Sequence, residues 1–356
     1  MILFLAILGV LVAARLLGWP AMRGLALAAG LWLLALAVLI AAPGSMLARL
    51  AGGDARVWAL LGGILALLMA YRAGLRRLHR RAALPQAAPE PPQATPEAGD
   101  GAALTDPELD RYARHIVLRE LGGPGQMALR RSRVLVVGAG GLGAPVCLYL
   151  AAAGVGHLTV ADDDQVSLSN LQRQVIFRSQ DADRPKAEAA RQAMLALNPH
   201  VAVTALNRRI GPEDAALIAA QDLVIDGTDS FASRQVVNAL CVAAGVPLVA
   251  GAIAQWEGQV TIWDPRRGAP CMACIFPQAP AQGLAPACAE AGVVGPLPGV
   301  IGSLMALEAI KTLTGAGEPL RGRMLILDGL FGENRVMRIA RRPDCAVCGQ
   351  QDIAPG

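Results

Sequence analysis

Residues 134–145 read VLVVGAGGLGAP. Four apolar, mostly β-branched residues run into a glycine-rich turn, and small residues with helical character follow. Gly138, Gly140 and Gly143 match G-x-G-x-x-G, the turn in which a buried strand hands over to a helix. The first free N–H groups and the positive dipole end of such a helix cradle phosphate. The pattern alone leaves NAD, FAD and ATP open, because each presents phosphate to the same turn. The residues that follow decide between them.

The next strand ends in TVADDD (159–164). It places Asp162 roughly 20 residues beyond the glycines, where a ribose-binding acid belongs. An NAD enzyme meets both conditions equally well. The stretch DDDQVSLSNLQRQVIF (162–177) then adds Asn170 and Arg173, DRPKAEAARQAMLALNPH (183–200) adds Lys186, and LVIDGTDS (223–230) adds Asp229. Hydride transfer has little need of further cations and another carboxylate around the phosphates. Attack on a triphosphate needs them, because its charge in a partly dry cleft calls for Arg, Lys and a carboxylate-held magnesium ion. Each residue has a plainer alternative: Lys186 as a solvated helix lysine, Asp162 as a surface acid, Arg173 as a loop clamp paired with Asp163 or Asp164.

Around this turn the pattern is α/β. Strands are expected at 133–137, 157–161, 201–205 and 223–226, with later ones in VPLVAGAI (246–253), GQVTIWD (258–264) and MLILDGL (324–330). Helices are expected at 143–153, 185–197 and 230–244. Strand and helix in alternation imply a parallel sheet with right-handed crossovers. TDPELDRYARHI (105–116) opens a further helix, with Thr105 as cap, Pro107 in the first turn and Glu108 behind it. GVIGSLMALEAIKTLTG (299–315) is apolar on most faces, which suits a core helix or a subunit seam. RRPDCAVCGQ (341–350) reads as loop.

The chain has 356 residues, 54% of them hydrophobic, 17% charged and 4% aromatic. The apolar excess is concentrated in the first quarter, in runs at 1–19, 25–42 and 57–71. The second approaches the ~20 residues that span a bilayer; the third is shorter but is flanked by Trp58, Tyr71 and arginines that suit an interface. A buried helical hairpin is the alternative, but none of the runs shows a polar face. A cleaved signal peptide fits poorly, since the basic leader and a clean small-residue cleavage site are missing. Much of the net charge of +4 lies in RAGLRRLHRRAA (72–83). A basic cluster directly after an apolar run marks the cytoplasmic side of a membrane, not a nucleic-acid patch. Residues 1–75 are therefore expected to hold two or three transmembrane helices, with the rest of the chain on the cytoplasmic face of the inner membrane. Residues 76–104 form a Pro/Ala-rich linker that cannot bury a core. Residues 105–352 form the soluble domain.

Seven cysteines occur, at 147, 241, 271, 274, 288, 345 and 348. Cys271, Cys274, Cys345 and Cys348 make two C-x-x-C pairs, the spacing of a tetrahedral four-cysteine zinc site; four thiolates leave no open position, so such a metal is structural. The alternative is four buried thiols. Cys147 and Cys241 fall on helix patterns and read as core. Cys288 stands alone in GLAPACAEAGVVG (283–295), a composition that suits a mobile crossover loop.

RYARHI (111–116), VGAGGLG (137–143), DDDQVSLSNLQRQ (162–174), RPKAEAA (184–190), NPH (198–200), DGTDS (226–230), GQVTIWD, PCMAC (270–274), EAGVVGPLPGVIGSLMALEAIK (290–311) and CAVC (345–348) follow in this order. Together they resemble the MoeB/ThiF/HesA-type adenylyltransferases, which activate small ubiquitin-like sulfur carriers and are distant relatives of ubiquitin-activating enzymes. The resemblance covers nearly all of the soluble part and leaves the N-terminal segment outside. It implies a Rossmann-like ATP-binding fold with a mixed sheet, and adenylation of the C-terminal Gly-Gly carboxylate of a carrier in molybdopterin or thiazole formation, with release of pyrophosphate.

By matched motif, Gly138, Gly140, Gly141 and Gly143 hold phosphates, and Asp162 and Asp164 lie at the nucleotide, with Asp162 on the ribose. Asn170, Arg173 and Lys186 face the phosphates, and Asp229 holds magnesium. Arg114 matches an arginine that family dimers send into the neighbouring site, which implies a homodimer. Cys288 matches a cysteine that in some members takes the acyl group or passes sulfur; the alternative is an exposed loop thiol. ATP, magnesium and zinc are the implied cofactors, and a separate protein is the implied sulfur donor. The DDD run departs from the commoner acid–apolar–acid pattern at Asp163, which carries no assigned role. Two other classes remain as alternatives: an NAD-dependent oxidoreductase with a structural zinc, and a non-catalytic membrane scaffold for a ubiquitin-like partner.

Overall fold

The computed structural model describes residues 21–46, 54–82, 103–279 and 292–349. The chain divides into two compact units, Met1–Gln93 and Ala94–Gly356.

In the first unit, α1 (Ala21–Ala41) and α2 (Ala55–Ala82) pack on each other. Their seam holds Ala35, Leu39 and Trp58, with Trp32, Leu36 and Ala55 at its edge. Trp32 lies so close to Gly62 that any Cβ there would sit 2.0 Å from the indole. Away from the seam, Leu33, Leu34, Ile40, Leu60 and Leu67 are exposed. The runs at 25–42 and 57–71 thus fall on helices, and α2 continues through the arginine-rich stretch to Ala82. The window Ala55–Arg72 is long and apolar enough to cross a membrane by length and composition; in α1 the apolar part, Ala29–Ala41, is shorter. The run at 1–19 and most of the linker lie outside the described residues.

The second unit is built on one eight-stranded sheet in the order β3-β2-β1-β4-β5-β6-β7-β8. Its strands are β1 (Arg133–Val137), β2 (His157–Ala161), β3 (Ala202–Leu206), β4 (Leu223–Asp226), β5 (Leu248–Ile253), β6 (Glu257–Trp263), β7 (Arg323–Asp328) and β8 (Glu333–Arg338). The first five pair in parallel and the last three are antiparallel. The expectation of a mixed sheet is therefore met. β3 sits one residue later than expected at 201–205, because its first ladder pair is His157 with Ala202. β8 was not expected at all.

The helices are α3 (Asp106–Ile116), α4 (Gly122–Arg131), α5 (Gly143–Ala153), α6 (Lys186–Leu197), α7 (Ala215–Ala219), α8 (Phe231–Ala244), α9 (Met272–Ile275) and α10 (Pro296–Thr314). Thr105 is the N-cap residue of α3, as expected, and Glu108 is its partner. Glu108, 3% exposed, reaches back to accept both the Thr105 N–H and the Thr105 hydroxyl at 2.8 Å. α10 buries a stripe through Leu297, Ile301, Met305 and Ala309. At Gly302 it comes so near the start of α5 that a Cβ would lie 2.4 Å from the Leu142 carbonyl. Gly302 thus lets a core helix brace the glycine turn from one side.

Asn198, fully buried, donates to Tyr112 Oη (2.8 Å) and to the Ala151 carbonyl (2.7 Å), tying α3 to the end of α5. Gln126 does the same from α4, donating to the Ala153 carbonyl (2.8 Å) while its Oε1 meets His115 Nδ1 (3.2 Å). The RYARHI and NPH motifs are thus largely scaffold for the helix that follows the glycine turn.

Candidate active site

The strand order reverses direction between β1 and β4, and the crevice at their carboxyl ends is where open α/β sheets bind ligands. Three segments converge there: the glycine turn after β1, 162–164 after β2, and 227–229 after β4. Gly138 has φ of +88°, a conformation that L side chains avoid, and a Cβ on Gly143 would lie 1.8 Å from the Gly138 carbonyl. Both glycines are therefore dictated by the backbone. Gly140 is different. The nearest atom to a Cβ built there is Gln174 Nε2 at 3.8 Å, so its surface is open for a ligand.

Asp162 is wired to this turn. Its Oδ2 accepts the Ala139 N–H (2.7 Å) and its Oδ1 accepts the Asp164 N–H (2.9 Å). Burial pushes its carboxyl above the ordinary aspartate range, opposed by Lys186 and by those two N–H groups. Lys186 starts α6, where the helix dipole disfavours a cation. Its side chain is nevertheless only 5% exposed, with the ammonium held by Asp164 Oδ2 at 2.7 Å. Helix end and ammonium together form a positive locus beside the glycine turn, a place for an anion.

Arg173 donates to Asn170 Oδ1 at 2.6 Å, and its Cγ lies 3.8 Å from a Cβ built on Gly141. The SNLQRQ segment therefore lies over the glycine turn. The proposed clamp between Arg173 and Asp163 or Asp164 is not formed: Arg209 takes Asp163 (2.8 Å) and Lys186 takes Asp164. Arg209 has no counterpart among the expected residues. The Asp163 carboxylate chiefly, with Asp164 and Asp229 behind it, holds its guanidinium pKa above the ordinary value, so the ends of β2, β3 and β4 share one electrostatic neighbourhood. Asp229 is exposed. Asp162, Asp163 and Asp164 offer carboxylate oxygens within 4.8 Å of one another. Arg114 is exposed on α3, and Cys288 lies outside the described residues.

The four paired cysteines converge. Cys271 Sγ lies 3.9 Å from Cys274 and 3.7 Å from Cys345, and Cys274 lies 3.5 Å from Cys348. All four are buried in a cluster of their own with Val242. Burial resists ionisation of Cys345, but N–H groups of Cys348 and Val347 outweigh it and bring the thiol down to about 7. Cys147 and Cys241 sit in the core, where burial pushes the Cys147 thiol up to about 12 and Cys241 higher still.

A cavity of about 550 Å³ opens at the other end of the sheet, among Ser132, Asp222, Pro247, Asp264 and Arg321. α4, α8 and α10 all end around it, and Arg321 pairs with Asp264 at 2.8 Å. Its charges answer helix C-termini and each other, and no reactive group gathers there.

The fold and cleft define a nucleotide-binding α/β protein, with a phosphate turn, an acid wired to it, a buried lysine facing it and a detached four-cysteine cluster. The chain belongs to the ThiF family, whose model matches residues 112–347. It is 49% identical over 250 residues to the molybdopterin-synthase adenylyltransferase of Escherichia coli strain K12, covering 70% of this chain and 100% of that protein. It is 43% identical over 257 residues to the sulfur carrier protein ThiS adenylyltransferase of the same strain, covering 71% and 100%. Among solved structures, E. coli MccB superimposes with a TM-score of 0.59 at 22% identity, covering 69% of this chain and 74% of MccB, which is a likeness of fold.

Proposed function

We propose that this chain adenylates the C-terminal carboxylate of a small ubiquitin-like sulfur carrier, using ATP and releasing pyrophosphate, in molybdopterin or thiazole formation. The names of its full-length relatives support this substrate class. The observation that carries the mechanism is the buried Lys186 at the head of α6, held by Asp164 against the glycine turn.

The carrier's terminal carboxylate attacks the α-phosphorus of ATP. A new P–O bond forms to the carboxylate oxygen, the bond to the bridging oxygen breaks, and pyrophosphate leaves with the negative charge. A terminal carboxyl has a pKa of about 3.5, so it is already ionised and needs no general base. His115, beside Arg114 on α3, is occupied by Gln126. Catalysis is then positioning and charge compensation. Asp162, fixed by two N–H groups, orients the ribose. The glycine turn, Asn170, Arg173 and Lys186 take the phosphates. Asp229, exposed at the end of β4, suits a magnesium ion, which neutralises phosphate charge when bound.

The four-cysteine cluster suits zinc. Zn–S bonds of about 2.3 Å in a tetrahedron put sulfurs about 3.8 Å apart, and the pairs here span 3.5–3.9 Å. The metal would tie 345–348 to α9 and supply no chemistry. For the membrane, the support is the exposed leucines of α1 and α2 and the arginines that follow them, a basic flank of the kind that faces the cytoplasm. For a homodimer, it is exposed Arg114 together with Val300 and Leu307, apolar residues of α10 left in solvent. Cys288 would accept the acyl group or sulfur, the latter from a separate donor.

ATP–pyrophosphate exchange with a carrier ending in Gly-Gly tests the proposal. Lys186→Ala and Asp229→Ala should each abolish exchange while the fold is retained. Normal exchange in both overturns the assignments. Binding of NAD in place of ATP would favour an oxidoreductase, and binding of a carrier without any nucleotide would favour a scaffold.

A further inference from the structure

The cavity of about 550 Å³ at the other end of the sheet is lined by four arginines and two aspartates. The arginines come from separate stretches of chain. Arg131 closes α4, Arg266 and Arg267 lie in the turn after β6, and Arg321 precedes β7. The acids are already engaged. Asp264, 3% exposed, accepts from Arg321 at 2.8 Å, and Asp222 accepts the Arg133 N–H at 2.8 Å. Among the described residues, Arg131, Arg266 and Arg267 make no ion pair and donate to no carbonyl.

Helix ends account for these three guanidiniums only in part. A cation beside a helix C-terminus is favourable, and Arg266 Nη1 lies 2.9 Å from a Cβ built on Gly245, the residue that ends α8. The terminal carbonyls, however, have other donors. The Ala128 carbonyl of α4 accepts the Ser132 hydroxyl (2.7 Å), that of Val242 in α8 accepts the Gly245 N–H (3.1 Å), and that of Ile310 in α10 accepts the Thr314 hydroxyl (2.8 Å). The wall also holds a hydroxyl without a partner: Thr312 Oγ1, from α10, is buried and unbonded. Such a group is costly unless something answers it.

The common demand of these groups is for oxygen acceptors that carry negative charge. Guanidinium forks pair with phosphate through two parallel hydrogen bonds. Three unpaired forks around one recess call for more than a single negative charge, and the volume is that of a small-molecule site. A lipid headgroup fits less well, because its chains need exposed apolar surface beside it. Leu313, the large aliphatic side chain on the wall, packs against the core instead.

We propose that this cavity binds a compact soluble polyphosphate, its phosphoryl oxygens held by Arg131, Arg266 and Arg267, with the Thr312 hydroxyl as a further donor. The role is binding and is separate from the adenylation cleft. α10 links the two, since it carries both Thr312 and Gly302, which meets the start of α5. An occupant of the cavity therefore bears on the helix that braces the glycine turn.

Inorganic pyrophosphate is the probe, applied to the full-length protein in neutral detergent. Equilibrium dialysis with labelled pyrophosphate reads every site, whereas ATP–pyrophosphate exchange reads the cleft alone. The wild type should hold two pyrophosphates per chain. The double variant Arg266→Gln, Arg267→Gln should hold one, the other weakened by at least about tenfold, with the KM for pyrophosphate in exchange unchanged. Lys186→Ala should do the reverse, losing exchange and keeping the pyrophosphate of the cavity. A wild type that holds none, or whose only pyrophosphate is lost in Lys186→Ala, overturns the proposal. So does a double variant with a lowered melting temperature and unchanged dialysis, the result expected if the arginines serve the helix ends alone. If the double variant does not fold, Arg131→Gln replaces it, and unchanged dialysis there overturns the proposal equally. A wild type without exchange counts against adenylation, while dialysis still decides the cavity.

Discussion

Lys186 combines three features that rarely meet: a charged head, near-complete burial and the first position of a helix. Asp164 satisfies it, and an incoming triphosphate would compete for the same ammonium. Lys186→Met should lower the exchange rate by about 10²–10³, the usual cost of removing one preorganised donor from a transition state, with circular dichroism unchanged. Asp162 predicts a pH effect. Burial raises its carboxyl pKa in the folded protein, so protonation should begin at a pH above the ordinary aspartate range and remove the acceptor for Ala139 and Asp164. ATP affinity should therefore fall on the acid side as pH drops through that raised value, whereas Asp162→Asn should bind weakly with a flatter profile. Titration of ATP affinity from neutral pH downward reads both. The glycines separate fold from function. Gly143→Ala should fail to fold, since its methyl would meet the Gly138 carbonyl, while Gly140→Ala should fold and lose ATP, since its methyl would meet only Gln174 at ordinary contact distance and fill the phosphate surface. At this scale the sequence disclosed charged residues whose chemistry is tied to a motif. It did not disclose Arg209, which reaches Asp163 across 46 positions.

Elements were legible where periodicity and boundary signals agreed. The bounds of β1, β2, β4 and α5 match expectation to the residue. α4 was missed because GGPGQMALRR opens with turn residues, and its helix depends on packing such as Leu121 against Gly125. β8 was missed because ENRVMR opens with three polar residues in a row, shows no apolar alternation and is exposed throughout, held by its ladder to β7. The two C-x-x-C pairs lie far apart in sequence, yet their spacing announced a common site, and the structure brings all four sulfurs together. Zinc analysis of the purified protein should find one ion per chain. Cys345→Ser should lose it and lower the melting temperature, because metal binding and local folding are coupled.

For the whole molecule, the claims concern attachment and assembly. A leucine-covered helical hairpin followed by arginines predicts that full-length protein sediments with membranes. Removing residues 1–82 should release the catalytic unit with exchange activity intact. Retention of the shortened protein in the membrane fraction would count against the hairpin as anchor. If Arg114 acts across a dimer, mixing inactive Arg114→Ala and Lys186→Ala proteins should restore activity, since one site of each hybrid then holds both residues. No recovery would place Arg114 within its own subunit. Composition announced the division between an apolar N-terminal quarter and an α/β remainder. Only the folded unit shows how the scaffold contacts of Tyr112, Gln126 and Asn198 hold α5 behind the glycine turn.

The central claim is that a carrier's terminal carboxylate attacks the α-phosphorus in the cleft formed by the glycine turn, Arg173 and Lys186. Oxygen labelling measures this most directly. A carrier with ¹⁸O in its terminal carboxylate is incubated with ATP and the protein, and the acyl-adenylate is then hydrolysed. The account predicts AMP with one ¹⁸O in its phosphate and unlabelled pyrophosphate. Formation of ADP and phosphate, or AMP without label, would contradict it.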